Sequence, residues 1–286
     1  MLRIVSFWIL ISFACQNVMA QSVESTAPKV ATFLDFPPYI SDEEPDDGVL
    51  SAIVKESFAL AGVEPEYTLV NWRRSYRAVG IGEIDASFSW AYSPERAAMV
   101  LLSEPIFSIS NQLLSTYPDL TDWRQLTEPM EGAEKPILCV PVGWKVAVEV
   151  QQLIDKDLIT QVSPSHPRFC MELVHAGRTN IVYMPRMTAI HFLEKVQNDE
   201  NDTHKHEMPE LYGIEVPSGV ANTQHVIFSK TEKGAALRQK FDAGFRQLVS
   251  SGRYRSILQR FLNDYPPSEQ DAIYQEQIKA GILPAE

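Results

Sequence analysis

The residues best suited to chemistry lie in the segment 89–96, Ser-Trp-Ala-Tyr-Ser-Pro-Glu-Arg. Ser93 suits a helix N-cap, Pro94 the first helical position and Glu95 the first turn. Arg96 then lies near the start of a helix, where unpaired N–H groups and the helix dipole favour an anion. Its guanidinium adds a bidentate grip on a carboxylate or phosphate. The segment therefore predicts a small-anion site centred on Arg96.

Neighbours of Arg96 in the same strand-to-helix turn add contact groups to this site. These neighbours are Ser89, Trp90 and Tyr92, and they are predicted to supply hydroxyl, backbone or aromatic contacts. Arg96 also has a second interpretation, as an exposed helix residue paired with Glu95 or Glu104. We favour the anion site because the predicted cap places Arg96 at a helix start.

Aromatic residues elsewhere provide candidate walls for a ligand pocket. Phe36 and Tyr39 flank two prolines, which stiffen the turn that presents them. Trp72 begins a predicted helix, and Arg73 or Arg74 directly after it could reach the cleft as a second anion ligand. The alternatives are aromatic packing in a core and, for the Arg73-Arg74 run, a solvated helix face.

These residues sit in an alternation of strands and helices, which predicts an α/β fold with mostly parallel sheets. The predicted strands are 29–34, 66–70, 84–89, 137–140, 158–162, 180–184 and 223–229. The predicted helices are 50–60, 72–79, one capped by Ser93, 144–154, 167–176, 186–196, 232–249, 254–261 and a tail helix at 268–279. Segments 109–115 and 212–216 are predicted strands that connect two βα blocks.

The N-terminus has the pattern of a secretory signal. Arg3 supplies a positive charge, residues 4–14 are an apolar run too short for a comfortable membrane span, and Val18-Met19-Ala20 fits small-residue cleavage after Ala20. A lipoprotein signal at Cys15 and an uncleaved anchor are the alternatives. The pattern predicts export and a periplasmic mature chain.

The net charge of −12 argues against nucleic acid or an anionic membrane surface as a partner. Two cysteines follow the predicted cleavage point, Cys139 and Cys170. In an oxidising compartment such a pair favours a structural disulfide, although two separate buried thiols remain the alternative. His204 and His206 lie in a polar loop, which we interpret as solvated, so no metal and no cofactor are predicted.

Several motifs in one order give the chain a family resemblance. They are Phe36-Pro37-Pro38-Tyr39, Trp72, the Gly82-Glu83-Ile84-Asp85 run, Ser93-Pro94-Glu95-Arg96 and Ser103-Glu104-Pro105. Together, from about Val30 to about Phe261, they resemble the periplasmic solute-binding proteins of ABC importers, polar amino-acid type. The resemblance implies a two-lobed clamshell with a two-strand hinge and ligand bound in the cleft.

The resemblance also implies lobe limits and site residues. Lobe one would be 27–112 plus 221–263, lobe two 117–214, and 264–286 a C-terminal tail. Arg96 would clamp a ligand carboxylate, with Gly143 and Trp144 from lobe two and Met184 near the other end. The chain departs from the family pattern here: the Asp that holds an α-amino group falls at about Pro185. A carboxylate or another anionic, partly apolar solute becomes plausible because burying an ammonium without a counter-charge is costly.

The predicted function is capture of a carboxylate-bearing or amino-acid-like solute for ABC-type uptake, by a non-catalytic monomer. The predicted partners are this small anionic or zwitterionic molecule and a membrane permease. One alternative is a ligand-sensing module for a membrane signalling partner. A less favoured one is a dehydratase-type enzyme on the same fold, using a carboxylate such as Asp35, Glu83 or Glu104.

Overall fold

The computed structural model describes residues 27–34, 36–128, 135–142, 144, 146–198, 209–214, 216–217, 222–263, 265 and 267–285. The predicted signal segment 1–20, Asp35, Gly143 and the pair His204 and His206 lie outside these ranges. No helix in these ranges combines the length and apolarity needed to cross a bilayer.

Two separate sheets form the centres of two lobes. The six-stranded sheet of lobe one has the order β2-β1-β3-β11-β4, with β5 also pairing with β11. Its strands are β1 (Lys29–Thr32), β2 (Glu66–Leu69), β3 (Ala86–Ala91), β4 (Leu101–Leu102), β5 (Phe107–Ile109) and β11 (Asn222–Phe228). The five-stranded sheet of lobe two has the order β10-β6-β9-β7-β8. Its strands are β6 (Asn111–Ser115), β7 (Ile137–Cys139), β8 (Thr160–Val162), β9 (Ile181–Pro185) and β10 (Tyr212–Ile214).

Helices flank both sheets, so the predicted α/β two-lobed fold is confirmed. Those that accompany the first sheet are α1 (Val49–Leu60), α2 (Trp72–Gly80), α3 (Pro94–Met99), α7 (Glu232–Ser250), α8 (Arg253–Leu262) and α9 (Pro267–Lys279). Those that accompany the second are α4 (Val148–Asp155), α5 (Pro167–His175) and α6 (Arg186–Gln197). Helix α4 begins at Val148 rather than at the predicted Trp144. The predicted tail helix is confirmed as α9.

Each sheet is mixed rather than mostly parallel. In lobe one β1 pairs in parallel with β2 and β3, whereas β11 runs antiparallel to β3, β4 and β5. In lobe two β7 pairs in parallel with β8 and β9, whereas β6 runs antiparallel to β9 and β10. The β5–β11 and β6–β10 pairs are antiparallel because the chain leaves lobe one and returns to it along these neighbouring strands, which run in opposite directions.

The two passages between the lobes lie side by side. The predicted single strand at 109–115 is two strands, because Ser110 separates β5 in one sheet from β6 in the other. The returning passage runs from β10 to β11, and β11 pairs with β5 while β10 pairs with β6. This arrangement is the expected connection of a two-strand hinge. The proposed lobe limits of 27–112 with 221–263, and 117–214, stay predictions.

Contacts outside the strands also join the lobes. Lys195 of α6 forms an ion pair with Glu43, in the loop between β1 and α1. One turn earlier in α6, the Nδ1 atom of His191 lies 3.4 Å from a carboxylate oxygen of Glu44. Met187 of α6 packs into the apolar core of lobe one. Helix α6 therefore belongs to lobe two but contacts lobe one along much of its length.

Lobe one has a close helix pair beneath its sheet. Helices α1 and α7 approach so closely that a Cβ atom added at Gly244 would lie 2.0 Å from the carbonyl oxygen of Ser57. Phe58 of α1 and Phe241 of α7 pack edge to face with ring centroids 4.9 Å apart. Since any side chain at Gly244 would separate these helices, its glycine is a packing requirement.

A disulfide joins Cys139 at the end of β7 to Cys170 in α5, as the cysteine pair predicted. Both residues are fully buried, and their Cα atoms are 5.6 Å apart. The bond closes a segment with a sequence separation of 31 residues and fixes α5 to the sheet of lobe two. Its contribution is to the stability of that lobe, because a cross-link restricts the unfolded chain.

Replacing both cysteines, as Cys139→Ala with Cys170→Ala, should lower the free energy of unfolding by about 3–4 kcal/mol, from the loop-closure term for this separation. Urea unfolding followed by circular dichroism measures the difference. A thiol reductant should destabilise the unmodified chain by a similar amount and leave the double variant unchanged. Equal stability of the two proteins under oxidising conditions would contradict the structural role.

Candidate functional site

The carboxyl ends of the parallel strands in the two lobes face each other. Phe36 follows β1 in lobe one, and Trp144 follows β7 in lobe two. Their rings meet edge to face with centroids 6.5 Å apart. Trp72 follows β2, and Arg96 follows β3, on the same edge of the lobe-one sheet. Clefts at such strand ends are where open α/β sheets bind ligands.

A bulge at Ser89 shapes the end of β3. Trp90 pairs with His225 and Ser87 with Ile227, so Phe88 and Ser89 together face one residue of β11. Ser89 has a φ of 65°, a left-handed backbone that is uncommon for serine inside a strand. Its hydroxyl lies 3.4 Å from the side-chain oxygen of Gln224.

The bulge changes which face of the sheet carries Trp90. Strict alternation would place Trp90 on the face of Phe88, which packs into the main core of lobe one. The extra residue turns Trp90 to the opposite face, where it packs with Val79 and Val100. There its indole nitrogen donates a hydrogen bond of 3.0 Å to the Ser87 hydroxyl. The tryptophan is 2% exposed.

Trp90 is the centre of a cluster that includes the predicted Trp72 and Arg96. Trp72 stacks on it with centroids 5.0 Å apart and an interplanar angle of 8°. Tyr76 packs on it at 5.3 Å. The guanidinium carbon of Arg96 lies 5.4 Å from the centroid of the Trp90 ring, a cation–π distance. The cluster fixes the guanidinium between an aromatic surface and the end of the strand.

Arg96 is half-buried and held in place by its own segment. It donates a hydrogen bond from its guanidinium to the carbonyl oxygen of Ala91. Burial lowers the pKa of Arg96 from its usual value, while the nearby Tyr76 and Glu95 oppose this shift. A guanidinium stays protonated at neutral pH despite such a shift. In the described ranges no carboxylate lies within ion-pair distance of it, and Glu104 pairs instead with Arg246.

The predicted helix start is confirmed, but the helix is short. Ser93 accepts a hydrogen bond of 3.2 Å from the backbone nitrogen of Arg96, and Pro94 occupies the first turn. Helix α3 has six residues, so its dipole is small. Because Ser93 already occupies the Arg96 N–H, the predicted anion site rests on the guanidinium rather than on the helix end.

Other predicted site residues occupy different surroundings. Tyr39 is 4% exposed and packs between Phe36 and Phe107, and burial, followed by the charge of Glu276, raises its pKa well above the usual value. Met184 is fully buried within lobe two.

Two more predicted residues lie on the outside of lobe one. Tyr92 is 60% exposed, with its ring 6.5 Å from that of His225. Arg73 is exposed at the start of α2, where Asn71 caps its backbone nitrogen. Neither residue touches the Trp90 cluster through a ring contact or ion pair among the described residues. Gly143 lies outside those residues.

Tyr76 belongs to the cluster although no motif pointed to it. It lies four residues after Trp72 in α2, so both side chains share a helix face. That spacing is a usable signal once Trp72 is a candidate. By contrast, no sequence pattern marks the bulge at Ser89, because serine has no strong preference for left-handed backbone.

Near Pro185, where the resemblance implies an amino-group ligand, the chain has a cation with its own partners. Pro185 ends β9, and Arg186 begins α6. The Nε atom of Arg186 donates to Glu269 of α9 at 2.6 Å, and its Nη1 atom donates to the carbonyl oxygen of Leu211 at 3.2 Å. This guanidinium is therefore engaged by protein groups at the edge of the hinge.

Taken together, the geometry is that of two lobes around a cleft, and Arg96 lies there among aromatic rings without an ion pair to any carboxylate that the structure describes. The sequence profile of the bacterial extracellular solute-binding proteins, family 3, matches residues 29–264. The chain belongs to that family. Its members are solute-binding proteins found outside the cytoplasmic membrane. A search of curated proteins returned no match.

Solved structures of low sequence identity share the fold. An ancestral arginine-binding protein bound to arginine is 14% identical, with a TM-score of 0.62, over 82% of this chain and 97% of that one. A histidine kinase sensor domain with similarity to periplasmic binding proteins is 16% identical, with a TM-score of 0.61, over 83% of this chain and 96% of that domain. A periplasmic binding protein of the His/Glu/Gln/Arg/opine family from Silicibacter pomeroyi, in complex with lysine, is 17% identical, with a TM-score of 0.58. The match covers 84% of this chain and 98% of that one.

The left-handed backbone at Ser89 gives a direct test of the bulge. Ser89→Gly should keep the free energy of unfolding within about 1 kcal/mol of the unmodified chain, because glycine accepts a positive φ. Ser89→Val should lower it by about 1–3 kcal/mol, because a β-branched residue is strained there. Both variants lose the same hydroxyl, so the loss of its contact with Gln224 does not contribute to the difference between them. Urea unfolding measures both, and equal stability of the two would contradict the bulge.

Proposed function

We propose that this chain captures a small carboxylate-bearing or amino-acid-like solute between its lobes, and that Arg96 binds the carboxylate. The observation that carries the proposal is a half-buried guanidinium without a carboxylate partner among the described residues. Burying a charge is costly unless it is paired, so an anionic ligand would complete this site. One hydrogen bond to Ala91 orients the guanidinium and leaves its other donors for the ligand.

The aromatic groups favour a ligand with an apolar or planar part. Trp72 is 44% exposed, although one face of its ring is stacked on Trp90. The rest of its surface is available at the edge of the cleft. Phe36 and Trp144 already meet from the two lobes and would form an aromatic wall beside the bound ligand. Burial against rings would supply affinity, and Arg96 would supply orientation.

The part of the site that would contact the end of the ligand opposite its carboxylate differs from the family pattern. The relatives named above were solved with arginine and with lysine. In this chain Pro185 stands at about the place where the family pattern has an Asp, and the Arg186 that follows pairs with Glu269. Because that carboxylate is already engaged, an ammonium group would lack a free counter-charge there among the described residues. A ligand without an α-amino group, or one that meets another carboxylate, therefore fits this proposal better.

The biological role that follows is uptake. The exported chain would be released into the periplasm after cleavage behind Ala20, work as a monomer without a cofactor, and deliver its ligand to an ABC-type permease. Ligand would shift the lobes towards the closed form that the permease recognises. Capture of a solute requires no catalytic group. Glu104, one carboxylate considered for acid–base chemistry, is engaged by Arg246.

A second candidate role is sensing for a membrane signalling protein. The similarity to a histidine kinase sensor domain shows that this fold serves in that context too. Loss of solute uptake on deletion of a neighbouring permease would support the importer. A kinase response that depends on this chain would support the sensor. Turnover of a cyclic acid by the pure protein would support an enzyme instead.

Arg96→Ala should weaken binding of a carboxylate ligand on the order of 100-fold, since it removes a charge-assisted hydrogen-bonding group. The experiment is a thermal-shift screen of the mature chain against amino acids, simple carboxylates and aromatic acids, followed by titration calorimetry of the best acid. Arg96→Lys should restore only part of the affinity, because lysine lacks the planar fork.

Arg77→Ala is the matched control for this experiment. Arg77 is an exposed arginine of the same lobe with no ion pair among the described residues. Its removal changes the net charge as Arg96→Ala does and should leave affinity within about twofold of the original, as expected for a screened surface charge. Equal affinity of the Arg96→Ala variant and the unmodified chain would refute the site.

A further inference from the structure

The C-terminal helix α9 lies beyond the residues that match the family profile, yet it is built into lobe one. Ile273 of α9, and Ile282 and Leu283 just after it, are each less than 9% exposed and pack into the main apolar core of that lobe. Burial of three aliphatic side chains removes apolar surface from water and anchors the helix to this core. The tail is therefore a fixed part of lobe one.

Helix α9 holds the first passage between the lobes. The fully buried side-chain amide of Gln277 accepts a hydrogen bond of 2.8 Å from the backbone N–H of Ser108 and donates one of 3.1 Å to its carbonyl. Strand β5 pairs with β11 on one edge, so Gln277 acts as a strand partner on the other. Glu276 accepts hydrogen bonds from the hydroxyls of Ser108, at 3.1 Å, and Ser110, at 2.7 Å.

Ser110 is the residue at which the chain passes from one sheet to the other. Rotation of the lobes must be absorbed by backbone torsions at a few such connecting residues. Glu276 accepts a hydrogen bond from Ser110 itself, and Glu276 and Gln277 both bond Ser108 just before it, so these contacts restrict the torsions that the passage can use.

The same helix also reaches the other lobe. Glu269, in the first turn of α9, pairs with Arg186, the first residue of α6, at 2.6 Å. The two side chains are 20% and 30% exposed, so the pair is less screened than a surface pair. Arg186 also donates to the carbonyl oxygen of Leu211, which precedes the returning strand β10. The ion pair thus links lobe one to lobe two next to the second passage.

We propose that α9 is a brace across the hinge, which fixes β5 through Glu276 and Gln277 and holds lobe two through Glu269. One rigid helix is joined to the core of lobe one, to the first passage and to α6. Opening or closing of the lobes changes the distance between Glu269 and Arg186, so the pair favours the arrangement of the lobes seen here. The brace thereby sets the balance between open and closed forms, whichever solute is bound.

The test measures the interlobe distance in the mature chain without any ligand, so it is independent of the proposed solute. Nitroxide labels are attached through Glu64→Cys in lobe one and Lys156→Cys in lobe two, both exposed positions. Cys139 and Cys170 are already bonded to each other and do not compete for label. Pulsed electron paramagnetic resonance gives the distance distribution.

Glu269→Ala should broaden this distribution or add a second distance, because lobe two is released while α9 keeps its apolar anchors. Asp271→Ala is the matched control: it removes an exposed acid from the same helix and should reproduce the distribution of the labelled parent. Superimposable distributions for the two variants would overturn the brace.

A second variant tests the contact with the passage. Gln277→Ala should speed hydrogen exchange of the Ser108 amide by roughly tenfold or more, because a buried hydrogen bond is lost. Exchange of the core amides of lobe two serves as the internal reference and should not change. An unchanged Ser108 rate would overturn the proposed restraint of the passage. If this variant fails to fold, the Glu269→Ala distance measurement decides the proposal.

Discussion

The left-handed backbone at Ser89 is the constraint on which the candidate site depends. One extra residue in β3 reverses the alternation of its side chains, so Trp90 leaves the face of Phe88 and enters the cluster beneath Trp72. A buried tryptophan there gives Arg96 a surface to lie on and gives Trp72 a partner to stack against. Strain at one residue thus positions the charged and aromatic groups together.

Charge explains how the two ends of the cleft differ. Arg96 has no carboxylate partner in the described part of the chain, which is why we propose that an anion binds there. At the opposite end, just after Pro185, the guanidinium of Arg186 is occupied by Glu269 of the tail and by the carbonyl oxygen of Leu211. One arginine is therefore engaged by protein groups that span the lobes, whereas the other keeps donors for the proposed ligand.

Local signals predicted the fold well and the long-range contacts poorly. The Ser93-Pro94 cap gave the start of α3, because capping is decided within a few residues. The two-lobed fold followed from motif order. The break at Ser110 was missed since a continuous apolar strand pattern does not show where a chain changes sheets. The pairing of Gln277 with Ser108, 169 residues apart, and the bulge at Ser89 have no sequence signature.

The most direct measurement is a crystal structure of the mature chain with the carboxylate that gives the largest thermal shift. The account predicts that the carboxylate oxygens accept hydrogen bonds from the Arg96 guanidinium, with the rest of the molecule against Trp72 and enclosed by Trp144. A bound acid whose oxygens contact other groups, while Arg96 keeps only its bond to Ala91, would contradict it.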